Sequence, residues 1–110
     1  MATNGESRPS IEEADSLLRD GDMDGAIEKL ETVLKADPNN EDAHFGMGVA
    51  CMRKVQEDLK KSEMFEKKYD DDIWGMRAIK HFQEVLKLNP ERKEAKDNID
   101  SIQKLMGLGL

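Results

Sequence analysis

The chain is short of nearly everything that builds a sheet, a disulfide framework or a membrane span. Of 110 residues one is cysteine, three are proline and 5% are aromatic. With Cys51 alone, no intrachain disulfide framework or multi-thiolate zinc site can form. No apolar run approaches the roughly 18–20 residues that cross a bilayer. Met1 to Pro9 lacks the apolar core of a signal peptide, so the expected location is cytoplasmic. Positive charge is also in deficit. Seventeen Lys and Arg against 24 Asp and Glu give a net charge of −7, leaving no basic stripe to neutralise phosphates. Nucleic acid and membrane insertion are not expected, and no cofactor is implied.

What remains is charged and apolar residues, 37% of each, a balance that suits exposed, salt-bridged helices. At this length one domain is expected, with a modest core. One pattern occurs twice. Residues 26–40 read AIEKLETVLKADPNN and residues 78–92 read AIKHFQEVLKLNPER, aligning Ala26 with Ala78, Leu30 with Phe82 and Pro38 with Pro90. Each copy sets apolar residues at helical spacing and then stops at a proline, which predicts stacked helical hairpins.

The punctuation places five helices. Residues 1–9 read as a flexible leader, and Ser10 with Glu13 forms a capping box that starts the first helix, which runs to about Arg19. Gly21 breaks it. The second helix spans about Met23 to Ala36, and Asp37-Pro38-Asn39-Asn40 stops it and caps the third, which starts near Glu41. The fourth is expected over Trp74 to Leu88 and the fifth over Pro90 to Met106, with Asn89 as its cap.

This spacing resembles the tetratricopeptide repeat (TPR), a unit of about 34 residues folded as helix-turn-helix. Ala14 and Leu17 stand at its small and large first-helix positions, Gly21 to Asp24 in its turn, Ala26 at its helix contact and Pro38 at its end. In the second unit Gly48 and Cys51 take the first-helix positions, followed by Ala78, Phe82, Val85 and Pro90. The resemblance implies an all-α, TPR-like solenoid of about five helices. Its expected organisation is a domain over 10–106, with repeat one at 10–40, repeat two at 41–90, a capping helix at 91–106 and a tail at 107–110. Pro38 and Pro90 lie 52 residues apart, 18 more than the unit length, so residues 55–72 are an insertion. Eighteen residues make about five helical turns. The segment lacks Gly and Pro, and Glu57–Lys61 and Glu63–Lys67 favour helix. It is expected to prolong the third helix to about Lys68, with a hairpin turning near Ser62 as the alternative. Either way Leu59, Phe65 and Tyr69 form an arm able to touch a partner or a second copy.

A competing motif lies at Asp20 to Glu31. Oxygen ligands at Asp20, Asp22 and Asp24, the turn glycine Gly25 and a terminal Glu31 fit the calcium loop of an EF-hand. The two readings exclude each other, because the repeat requires Ala26 to Glu31 as helix. The recurrence of Ala26 to Pro38 favours the repeat, since at the second copy His81 stands where the bidentate Glu should be. Gly25 is the residue that the repeat leaves unexplained. Cys51, amid Val49, Ala50 and Met52, reads as a packed thiol. His44 and His81, far apart and in no triad pattern, read as surface or capping residues.

The resemblance implies a groove lined by the first helix of each pair. The positions are Ile11, Asp15, Leu18 and Arg19 from the first helix and Phe45, Val49, Met52 and Arg53 from the third. This mostly apolar set suits an amphipathic or apolar protein segment. The Lys/Asn/Arg clamp of chaperone-binding relatives is not matched: Ile11, Asp15, Gly46, Glu94 and Asn98 stand at those positions. The expected function is therefore a non-catalytic adaptor or assembly subunit. A calcium-binding protein and a scaffold that self-assembles through the arm are the alternatives.

Overall fold

The computed structural model describes residues 4–65 and 71–107, with side chains for 8–61 and 73–107. Among the described residues five α-helices follow one another: α1 (Asn4–Arg19), α2 (Met23–Ala36), α3 (Glu41–Phe65), α4 (Asp71–Leu88) and α5 (Lys93–Leu105). Consecutive helices pack on one another, and α3 also touches α1. The all-α hairpin architecture expected from the repeats is the one present.

The turns are built by the residues that marked them. Gly21 takes φ +87°, and Gly21 N–H donates to the Leu18 carbonyl at 3.1 Å while Asp22 N–H donates to Leu17 at 2.8 Å. This pair of bonds is a Schellman ending, which needs a residue at ease with positive φ. Asp22 then caps α2, its carboxylate accepting Gly25 N–H at 2.9 Å. That cap also accounts for Gly25, because a side chain there would collide with the Asp22 carboxylate. Asn40 caps α3 through Ala43 N–H at 3.0 Å and is itself held by Asp37 at 3.1 Å. It is 7% exposed, so the cap is a buried joint.

Three boundaries differ from expectation. α1 begins at Asn4 rather than Ser10, absorbing much of the expected leader, with Pro9 inside it. A proline so near the start forfeits only one backbone bond, and the buried Ala14 and Leu18 downstream anchor the winding. A Ser-x-x-Glu pattern can sit inside a helix as well as at its start. α5 begins at Lys93 rather than Pro90, because the Asn89 side chain accepts Glu91 N–H at 3.2 Å and holds Pro90 in a turn. α4 starts at Asp71, three residues before Trp74. The hairpin near Ser62 is absent, since α3 runs unbroken for 25 residues to Phe65, about 37 Å. The expected end near Lys68, and Tyr69, lie outside the described residues.

Among the described residues, two apolar clusters hold most of the interior. The first joins Ala14 and Leu18 of α1 to Ala26, Ile27, Leu30 and Val33 of α2 and to Ala43, Met47 and Ala50 of α3. The second joins Cys51 of α3 to Ala78, Ile79, Phe82 and Val85 of α4 and Ala95 and Ile102 of α5. Val49 and Trp74 pack on both. α3 meets α4 closely at Gly48, where an added Cβ would lie 2.6 Å from the Phe82 ring. The repeated small position is thus the place where an aromatic side chain of α4 rests on the α3 backbone. The α5 face away from this cluster is polar, with Lys96, Asp97, Asp100 and Lys104 exposed.

Candidate functional site

A groove of about 1030 Å³ runs between α1 and α3, bounded at one end by the α2–α3 turn and by Leu88 and Arg92. α1 contributes its Arg8, Ile11, Glu12, Asp15, Leu18 and Arg19 stripe, residues that recur at helical spacing on one side. α3 contributes Phe45, Gly46, Val49 and Arg53. Seven of the eight expected groove positions therefore come together: Ile11, Asp15, Leu18, Arg19, Phe45, Val49 and Arg53. Met52 does not. It packs on the Cys51–Phe82 cluster, because one residue short of Arg53 rotates it about 100° around α3.

The lining residues are not equally available. Leu18 is 6% exposed and belongs to the first cluster. Arg53 donates to the Leu18 carbonyl, tying α3 to the end of α1. Phe45 stands edge-on to Phe82 with centroids 5.4 Å apart, and the Arg92 guanidinium lies 4.0 Å from its ring centroid. Arg92 also donates to Glu41 at 2.9 Å and Asp42 at 3.0 Å, so one side chain fastens the start of α5 to the start of α3. Ile11, only partly buried, is an apolar group open to a ligand. Burial raises the Asp15 carboxyl above the usual range, Arg19 opposes the shift, and Asp42 and Glu12 add to it.

Beyond the sequence-derived set, the lining also includes Arg8, Glu12, Leu88 and Arg92, together with Asn39 and Asn40 of the α2–α3 turn and Glu41 and Asp42 at the start of α3. The stripe of Arg8, Ile11 and Asp15 was present in the sequence at i, i+3 and i+7 spacing. Contact between Arg92 and Phe45 has no local sequence signature.

The calcium reading of Asp20, Asp22, Asp24 and Glu31 is overturned. α2 is helical from Met23, so Glu31 lies more than two turns along it. Asp22 is occupied as the α2 cap, Asp24 pairs with Lys54 at 2.9 Å, and Glu31 pairs with Arg77 at 3.5 Å. Of the arm residues, Leu59 is half-buried, whereas the Phe65 side chain and all of Tyr69 lie outside the described residues. Cys51 is fully buried, and burial pushes its thiol up to about 11, far from a nucleophile's range. The surface or capping role expected of the histidines is corrected. His44 is 8% exposed, and its Nδ1 lies 3.0 Å from Nδ1 of His81.

No curated protein matches the chain. The TPR repeat family is matched over residues 14–55, from the buried Ala14 of α1 through α2 to Val55 of α3. The matched stretch supplies Asp15, Leu18, Arg19, Phe45, Val49 and Arg53 of the groove. Over residues 14–55 the chain is similar to the TPR repeat, the helical unit of a family of protein-interaction modules that is in general non-catalytic.

Proposed function

We propose that the five helices act together as one non-catalytic adaptor or assembly domain, in a cytoplasmic setting. It would hold an amphipathic segment of another protein in the groove between α1 and α3. The observation that carries this reading is the groove itself, in which Ile11 and Val49 supply apolar surface and Arg8, Glu12, Asp15 and Arg19 supply a mixed polar rim. Burying the apolar stretch of a bound segment would contribute about 25 cal/mol per Å², offset by the ordering of that segment.

Phe45 is a poor place to test this, because it also props Phe82 and Arg92. Ile11→Asp is cleaner. Partner capture from native extract should be lost in this variant, with the far-UV circular dichroism spectrum unchanged. Capture at the wild-type level by a folded Ile11→Asp chain would remove the groove from the proposal.

A second reading is self-association beside the long α3–α4 pair. Ile73 and Met76, one turn apart on α4, are 56% and 57% exposed, well above the other large apolar residues described. If this surface pairs copies of the chain, Met76→Glu should lower the sedimentation mass at concentrations where the wild type associates. An unchanged mass discards it.

A further inference from the structure

We propose that His44 and His81 form a proton-sensitive latch that holds α3, α4 and the Pro38 turn together while both rings are neutral. The hydrogen-bond partners fix the tautomers. His44 Nε2 lies 2.8 Å from the Pro38 carbonyl oxygen, which can only accept, so Nε2 carries a hydrogen. In neutral His44, Nδ1 is then an acceptor. His81 Nδ1, 3.0 Å away, must be the donor. The chain of bonds runs from His81 of α4 through His44 of α3 to the turn that ends α2. The rings lie with centroids 5.2 Å apart and are tilted by 35°.

Acid works against this arrangement by two routes. A proton on His44 Nδ1 would set two N–H groups against each other. A proton on the far nitrogen of His81 spares the bond but places a cation in a half-buried site. His44 crowds that site from α3, and Arg77 and Lys80 bear on it from α4. Glu84 on α4 favours the charge, but its carboxylate is shared with Lys87 at 2.9 Å. From α2, Glu31 answers Arg77 at 3.5 Å, and in the adjoining turn Asp37 is bonded to Asn40. Burial first, and then His44 with the two cations, push the His81 imidazole down to about 4.

The direction of the pH effect follows from linkage. Between the free imidazole value of about 6.5 and the folded value, the unfolded chain takes up a proton that the folded chain refuses. The latch therefore contributes its full stability above about pH 6.5, loses it as pH falls, and levels off near 4. Lowering the pH of a chain with net charge −7 relieves self-repulsion, so the latch opposes the general trend.

The test is urea unfolding of the full chain at pH 7.5 and pH 5.5, wild type beside His81→Gln. The glutamine amide can donate to His44 Nδ1 but takes up no proton. The wild-type midpoint should fall towards pH 5.5 relative to that of the variant, and parallel midpoints would overturn the latch. Imidazole ¹⁵N shifts of the wild type supply a readout that does not depend on the variant folding. They should show hydrogen on His44 Nε2 and His81 Nδ1, with His81 still neutral at pH 5.5. A His81 that titrates as a free imidazole sinks the proposal.

Discussion

Gly48 shows how much a single residue decides here. Its missing side chain is the space that Phe82 fills, so Gly48→Ala must displace the ring or the α3 backbone. Overpacking of this kind costs about 1–3 kcal/mol, more than the helix propensity gained by replacing glycine. Chemical denaturation should therefore show the variant less stable, and a more stable one would mean that Phe82 has room to move. Cys51 gives a second residue-scale prediction. Because the thiol is buried and held near 11, thiol reagents at pH 8 should modify it only as fast as the chain opens. Rapid labelling of the native protein would contradict that burial. The packed character of Cys51 was legible from its apolar neighbours. Gly25 was not, because its reason is the folded-back carboxylate of Asp22 three residues away.

At the scale of elements, the helices were legible wherever an apolar stripe met a turn residue. α2 is the best case, since Asp22, the Ala26–Ile27–Leu30–Val33 face and Asp37 all mark it. The second copy was equally plain in its middle and less so at its ends. At the first joint Asn40 caps α3, whereas at the second Arg92 occupies the N-cap of α5 with no side-chain cap bond. Asn40→Ala should cost about 1 kcal/mol or somewhat more, because the buried Ala43 N–H is left without its acceptor. An effect within error would show that water replaces the cap. The start of α1 was missed for a related reason. Capping patterns report where a helix can begin, and packing of the downstream stripe decides whether the turns before it also wind.

For the molecule as a whole, α3 is the shared wall. Its first turns close the cluster with α1 and α2, Cys51 closes the cluster with α4 and α5, and Val49 and Trp74 touch both. Lys54 at 4.9 Å and Arg77 at 4.7 Å also lie over the Trp74 ring. The two repeats should therefore unfold as a unit. Ile27→Ala and Ile102→Ala, in different clusters, should each lower one common transition, by about 2–5 kcal/mol, with Trp74 emission and helicity coincident. Separate transitions for the two probes would show that the repeats melt independently. The groove is a property of this same wall. Seven of its lining residues could be named in advance from repeat register, but the state of each could not. Phe45 and Arg53 are committed to internal contacts, and Ile11 is more open.

The sequence by itself determined the repeated unit, the helical class, the small positions and the residues facing inward. These depend on local periodicity and turn chemistry, which neighbouring residues carry. Only the tertiary structure decided that Arg92 lies on Phe45, that Asp22 caps α2 while Asp24 pairs with Lys54, and that His81 donates to His44. Those contacts join positions tens of residues apart, or depend on how the joined helices are set. They follow from the angle and register at which α3 meets its neighbours, and no single stretch of chain contains that information.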